Sequence, residues 1–444
     1  MTRSPSTSVE LLKRHLGSRL ARHRDRTKQL IGPLDDDDLH SQHNQIMSPL
    51  VWDVGHVGNF EELWLLRELD GRPAHDLRYD EMYNPFENPR WTRGELPLLN
   101  RSEALEYIDE VRGDALAILD RTELDESLPL VRDGYVFNMV IQHEAQHQET
   151  MLQALDLRND LAPYPDAEQR ALRRSAPAVD DTERILIPGG PFLLGTDDTT
   201  RAYDNERPRH EVEVDTFAID RFPVTNRRFS RFIEEGGYER SELWSSEGWT
   251  FRSDTDLTAP QGWMRQIGGG WLIRRFGHVT DLDPREPVQH VSFHEAEAFA
   301  RFEGGRLPTE AEWEKAASWS QTATRPRPYP WGSRSPDAKH ANLGQQRWGP
   351  VPVGSFPFGG SGYGVEQLLG DVYEWTASRF GAYPGFSSFP YPEYSEVFFD
   401  DPGYRVLRGA SWATAVDVAR NTFRNWDYRE RRQVFAGIRL AWDV

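Results

Sequence analysis

Residues 135–158 read YVFNMVIQHEAQHQETMLQALDLR, and their spacing decides what the first third of the chain builds. The run is long, carries apolar residues at helical intervals and predicts one helix. Within it lies His143-Glu144-Ala145-Gln146-His147, a literal H-E-x-x-H. His143 and His147 are four apart, so they leave one helix face with Cβ atoms about 6 Å from each other. That geometry suits two ligands of one cation. Two unrelated surface histidines would show the same spacing, so the pair alone leaves both readings open.

Three more segments share the helical period. They are SVELLKRHLGSRLARHRDRTKQLI (8–31), SPLVWDVGHVGNFEELWLLREL (48–69) and SEALEYIDEVRGDALAILDR (102–121). In the second, Ser48 is the expected N-cap, Pro49 the first helical residue, and Asp70-Gly71 the stop. Four helices with modest connections predict a bundle over residues 1–160. The aromatic, Pro-rich stretch 79–99, YDEMYNPFENPRWTRGELPLL, reads as an ordered loop over one end of it. A charged, Ala/Pro-rich linker is expected at 161–184. From Ile185 to Val444 the texture changes to short strand-like pieces between Gly/Pro turns, such as RILIPGGPFLLGT and RVLRGASW. Only a few helices intervene, two of them with capping-box spacing at Ser292/Glu295 and Thr309/Glu312. Residues 185–444 are expected to form an irregular α+β domain.

The whole chain of 444 residues carries a net charge of -19, has no cysteine, and is 38% hydrophobic with 15 Trp. This is ample for packed cores and argues against disorder. No basic run suggests nucleic-acid binding. Without cysteine there is no disulfide, thiolate ligand or redox thiol. The start lacks the apolar core of a secretion signal, and no apolar run approaches ~20 residues. A cytoplasmic protein without membrane or nucleic-acid partners is expected.

A third imidazole would strengthen the metal reading. His56 lies in the apolar second helix, where Trp52, His56 and Phe60 follow at four-residue steps. Such a histidine is often only a hydrogen-bonded core residue. If the second and fourth helices face each other, however, three imidazoles converge. His40 and His43, in a polar loop before the helix, rank lower. So does the pair His290 and His294, because residues 288–291 read as a strand and Ser292 opens a helix. A metalloprotease would need Glu144 as the base acting on metal-bound water. It would also use a downstream ligand such as H-E-x-x-H-x-x-G-x-x-H. QETMLQALDL after His147 has neither Gly nor His at those places, yet a zinc hydrolase stays open. Three imidazoles equally suit Fe(II) with vacant positions for oxygen and substrate, so ligand type does not choose between iron and zinc.

The second half is more specific. DRFPVTNRRFSRFI (220–233), VQHVSFHEAEAFARFEGGRLPTEAEWEKAAS (288–318), YPWG (329–332), GYGVEQLLGDVYEWTAS (362–378) and GIRLAWD (437–443) follow one another as in formylglycine-generating, sulfatase-modifying domains. Their fold resembles a C-type lectin. Those enzymes depend on active-site cysteines, so that activity is excluded here. The first half resembles a DinB-like bundle through residues 48–69 and VIQHEAQHQETML (140–152). The two domains in this order, with RNWDYRERRQVFAGIRLAWDV (424–444) at the end, resemble the hercynine oxygenases, the sulfoxide synthases of ergothioneine biosynthesis.

The resemblance implies a non-haem Fe(II) enzyme. It would join the sulfur of a cysteine-containing thiol to C2 of the imidazole of hercynine (N-α-trimethylhistidine), using O2 and leaving a sulfoxide. The implied iron ligands are His56, His143 and His147, with Gln146 as the substrate-side glutamine between the paired histidines. In YPGFSSFPYPEYSEVFF (383–399) it implies Tyr391 as proton donor and Tyr394 as its neighbour. For γ-glutamylcysteine as thiol it implies Arg90 and Arg93 on the carboxylates and Asp427 on the amino group; cysteine itself is the alternative donor. Asn425 and Trp426 would line the hercynine pocket, whose quaternary ammonium calls for aromatic faces such as Trp426, Phe423, Tyr391 and Tyr394. A related synthase that uses histidine directly usually carries a further methyltransferase domain, which is not expected here. A non-enzymatic lectin-like binding module would need no histidine trio.

Overall fold

The computed structural model describes residues 5–125, 127–158, 163–165, 176–320 and 325–444. Of the expected linker, 161–162 and 166–175 lie outside the described residues. The chain divides into two compact units, Met1–Pro165 with Asp198–Arg201, and Asp166–Asp197 with Ala202–Val444.

The first unit is a bundle of four helices, α1 (Pro5–Ile31), α2 (Leu50–Glu61), α3 (Arg101–Arg121) and α4 (Tyr135–Asp156). Each of α1 and α2 packs on both α3 and α4. The second and fourth helices are therefore neighbours, which is the arrangement the histidines require. After Glu61 the second helix widens into a π-helical stretch, Glu62–Glu68. It stops at Gly71, whose φ of 72° lets its amide and that of Arg72 close on the carbonyls of Arg67 and Leu66.

The start of α2 differs from the expectation. Pro49, not Ser48, is the N-cap residue, extended at φ -54° and ψ 142°, and the helix begins at Leu50. The Ser48 hydroxyl instead accepts a hydrogen bond from Arg93 Nη1 at 2.8 Å, which takes it away from the helix amides. Within 79–99 the chain makes one α-turn ending at Met82 and a 3₁₀ segment, Arg90–Glu95, where only loop was expected.

The bundle core is not purely apolar. Arg24 of α1 and Arg112 of α3 share two carboxylates, Glu61 of α2 and Glu144 of α4. Glu61 and Glu144 are fully buried, and their N···O distances to the arginines run from 2.5 to 3.0 Å. Thr27 adds a hydrogen bond to Glu144 at 2.8 Å. One charged cluster thus ties all four helices.

The second unit is α+β, as expected. Arg184–Ile187, Phe217–Asp220 and Ala441–Asp443 form an antiparallel sheet that brings the two ends of the unit together. A four-stranded sheet runs in the order Asn425–Tyr428, Tyr404–Gly409, Tyr373–Arg379, Ala436–Gly437. Among the described residues four helices accompany them, α5 (Asn226–Glu234), α6 (Ser246–Asp254), α7 (Phe293–Phe302) and α8 (Glu310–Ser318). Both expected capping boxes are present, Ser292 with Glu295 on α7 and Thr309 with Glu312 on α8. Trp313, Trp375 and Trp412 are buried core residues, as are Trp52 and Trp348. Residues 288–291 are not the expected strand. His290 sits at φ 64°, which breaks an extended run, and its Nδ1 donates to the Arg432 carbonyl. Among the described residues no helix is long and apolar enough to cross a membrane.

Candidate metal centre

His56 leaves α2 on the side facing α4, and His143 and His147 leave α4 one turn apart. The His56 ring centroid lies 5.0 Å from that of His143 and 4.7 Å from that of His147, and the α4 pair is 4.6 Å apart. One ring nitrogen from each comes within 4.8 Å of the others. A one-turn spacing on α4 and a single residue on the neighbouring helix suffice to build this.

The outward nitrogens of His56 and His147 are fixed by hydrogen bonds. His56 Nδ1 lies 2.8 Å from the Tyr83 carbonyl, and a carbonyl only accepts, so Nδ1 carries the proton and Nε2 its lone pair. His147 Nδ1 lies 2.8 Å from Asp53 Oδ1, which sets the same tautomer. Carboxylate or carbonyl behind imidazole is the usual support of a metal-binding histidine. Rings hold the planes: Trp52 stacks on His56 at 4.7 Å, and Phe60 on His143 at 3.7 Å. Burial, and then the unfavourable interaction between imidazolium forms in a site shared with His147, push His56 and His143 well below the usual imidazole range. Both are therefore neutral, as ligands must be.

Tyr83 is held in place by the absence of a side chain at Gly55. A Cβ there would fall 2.1 Å from Tyr83 Cζ, and Tyr83 is itself only 1% exposed. Gly55→Ala is expected to destabilise the protein by about 3 kcal/mol, the upper end of overpacking costs. Because the Tyr83 carbonyl holds His56, metal retention should fall with it. Denaturant midpoints and metal content measured side by side check this; a wild-type midpoint would show that the ring has room to move.

Glu144, the acid inside H-E-x-x-H, is not available to a metal-bound water. Its Oε1 accepts from Arg24 Nε at 3.0 Å and its Oε2 from Arg112 Nη2 at 2.6 Å. Burial pushes its carboxyl up, but the two arginines outweigh this and hold it at about 2. The zinc-hydrolase reading loses its base.

The other expected residues fall as follows. Gln146 sits on α4 between the two histidines, half-buried. Arg93 is buried and lies 3.6 Å over the Trp52 ring, with Ser48 and the Asn88 and Pro85 carbonyls as acceptors. Burial, then the charge of Arg90, push it down to about 9 against the pull of Asp53. Arg90 is half-buried and donates from Nη1 to the Ile46 carbonyl at 3.0 Å. His40 and His43 are engaged by the Asp36 and Leu99 carbonyls and by Asp38, outside the trio.

In the second unit, Tyr394 stacks on Tyr203 at 4.2 Å and meets Tyr391 and Trp426 edge-on at 6.3 and 5.8 Å. Trp426 stacks on Phe380 at 4.1 Å. Asn425, Trp426 and Asp427 are consecutive on a strand paired with Tyr404–Gly409. Strand alternation sends Trp426 to the opposite side from Asn425 and Asp427. Asp427 accepts from Gln433 Nε2 at 3.2 Å. Sequence reasoning missed Asp53 and Tyr83 as the supports of the trio. The signal for Asp53 was an acid in an apolar helix, one turn before His56.

The DinB superfamily model matches residues 19–151, and that of the sulfatase-modifying factor enzyme 1-like domain matches 169–444. The chain is 34% identical over 270 residues to the formylglycine-generating enzyme of Mycobacterium tuberculosis, which covers 53% of this chain and 83% of that one. It is 48% identical to the hercynine oxygenase of Mycolicibacterium smegmatis (97% of this chain, 99% of that one) and 49% identical to that of Mycobacterium tuberculosis (99% and 100%). Two domains in the expected order, a supported histidine trio and this identity along nearly the whole length lead to one assignment: the chain is an enzyme of the hercynine oxygenase family.

Proposed function

We propose that the protein is an Fe(II)-dependent sulfoxide synthase of ergothioneine biosynthesis. It joins the thiol of γ-glutamylcysteine to C2 of the hercynine imidazole. The balance is one thiol, one hercynine C2–H and one O2, giving one sulfoxide and one water. The single observation that carries this reading is the trio His56, His143 and His147 with Nδ1 of two members already bonded, so that Nε2 of each is left for a cation. When bound, Fe(II) would supply the one-electron chemistry that lets O2 react and would favour the substrate sulfur as thiolate.

The chain's own residues would then bind and orient. Asp53 keeps the His147 proton on Nδ1 and the ring plane fixed. Arg93 is a buried cation whose hydrogen-bond acceptors are a hydroxyl and two carbonyls, so an incoming carboxylate would supply the missing charge. Arg90 would take the second carboxylate, and Asp427 the amino group. Gln146, Asn425 and Trp426 would contact hercynine. Tyr391, with Tyr394 beside it, would donate a proton during C–S bond formation.

Oxygen uptake by the iron-loaded enzyme with hercynine, comparing γ-glutamylcysteine with cysteine, tests the reading. A product mass equal to both substrates plus one oxygen atom less two hydrogens is expected, with γ-glutamylcysteine the faster thiol. Activity without O2, or with zinc in place of iron, would overturn it. For Tyr391→Phe the expected result is a shift of products from the C–S adduct toward oxidised thiol, by about 10²-fold or more in ratio if general-acid help is lost. An unchanged ratio would remove Tyr391 from the mechanism and favour Tyr394.

A further inference from the structure

Beyond the histidine trio, the described residues contain one more group whose atoms converge as metal ligands do. His294 is the second residue of α7, Glu247 lies in the first turn of α6, and Glu430 follows the strand Asn425–Tyr428. One ligand atom from each comes within 4.8 Å of the others. The cluster does not stand on its acids alone. His294 is 1% exposed, yet neither ring nitrogen reaches a hydrogen-bond partner. Its Nε2 stands 3.6 Å from Glu430 Oε1, beyond hydrogen-bond range, and its Nδ1 faces the backbone of Gly248. That long pairing already holds the Glu430 carboxyl below its usual range, but a buried imidazole with no close hydrogen bond on either nitrogen is rare.

We propose that His294, Glu247 and Glu430 form a second divalent-metal site, of the zinc class, within the lectin-like unit. One imidazole and two carboxylates suit a borderline cation such as Zn2+, whereas Ca2+ and Mg2+ prefer all-oxygen shells. The imidazole is fixed by burial. The two glutamates are exposed at their ends and can close the remaining distance by rotating. Glu247 is paired with Arg429 and also feels the charge of Arg405, so a cation would compete with both arginines for it. Binding would relieve the repulsion between the two acids and fasten the starts of α6 and α7 to the turn that follows Asn425–Tyr428. That strand carries Asn425, Trp426 and Asp427, so the site would steady residues proposed above for substrate binding. The inference itself is independent of that reading.

Zn2+ itself is the probe. The full chain is stripped with a chelator, dialysed against a defined free Zn2+ concentration, and its bound zinc counted. The double substitution Glu247→Gln with Glu430→Gln is expected to lose one zinc equivalent relative to wild type. A second variant, His143→Ala with His147→Ala, should lose the other equivalent and keep this one. The glutamates are chosen because their exposed ends make misfolding a lesser concern than at His294; a circular dichroism spectrum matching wild type accompanies the count. Equal zinc uptake by wild type and the glutamate variant would overturn the proposal. Uptake falling from one equivalent to none in the glutamate variant would uphold this site and count against the trio instead.

Discussion

His147→Ala is expected to purify with essentially no iron and to consume no oxygen with hercynine and thiol. Two effects add. The trio loses one of three ligands, where loss of even an outer support typically costs 10- to 100-fold in metal affinity, so a direct ligand should cost more than about 100-fold. The substitution also strands Asp53. That carboxylate is 1% exposed, its Oδ1 is held by His147 Nδ1, and its Oδ2 reaches no hydrogen-bond partner among the described residues. Removing the imidazole leaves a buried acid without its donor, which costs about 1–3 kcal/mol or more for a charged group. Melting temperature should therefore fall alongside iron content. Elemental analysis, an oxygen electrode and a thermal scan on one preparation check all three. Iron at the wild-type ratio per chain would remove His147 as a ligand.

What could be read in the sequence divides along physical lines. Periodicity is local, so the four helices of the first unit and the one-turn spacing of His143 and His147 were legible. The steps Trp52, His56, Phe60 placed three rings on one face, and the structure uses that face to stack Trp52 on His56 and Phe60 on His143. Capping boxes are equally local, and those at Ser292 and Thr309 form as expected. The misses depend on partners far away in sequence. Ser48 is drawn from its helix by Arg93, 45 residues on. His290 takes a positive φ while its ring donates to the carbonyl of Arg432, 142 residues away. Tyr394 stacks on Tyr203, a pairing no local pattern announces. Asp53 was visible as an acid in an apolar helix, but its meeting with His147 depends on how α2 and α4 are rotated against each other. That rotation is set by packing, which one chain's pattern does not specify.

The same dependence on tertiary rotation explains why H-E-x-x-H misleads, and it yields the second large effect. Glu144→Ala is expected to destabilise the bundle by about 3–5 kcal/mol, or to prevent folding, because breaking a buried ion network leaves uncompensated charge. Arg24 and Arg112 would then share Glu61 alone, with all three remaining groups almost wholly buried. A hydrolase base would behave differently: its loss stops turnover and leaves the fold unharmed. Acid unfolding separates the two further. Folding depresses the Glu144 pKa from 4.5 to about 2. A carboxylate with a depressed folded pKa contributes stability that is complete above the unfolded value and is lost as pH falls toward the folded one. Wild type should therefore lose stability between about pH 4.5 and pH 2 through this group, whereas Glu144→Gln, if it folds, should start less stable at pH 7 and lose less across that window. Denaturant midpoints of wild type and both variants from pH 7 downward decide it. A Glu144→Ala protein with a wild-type midpoint at pH 7 would show that the four-helix charge cluster does not hold the bundle together and would restore the acid of H-E-x-x-H as a chemical group.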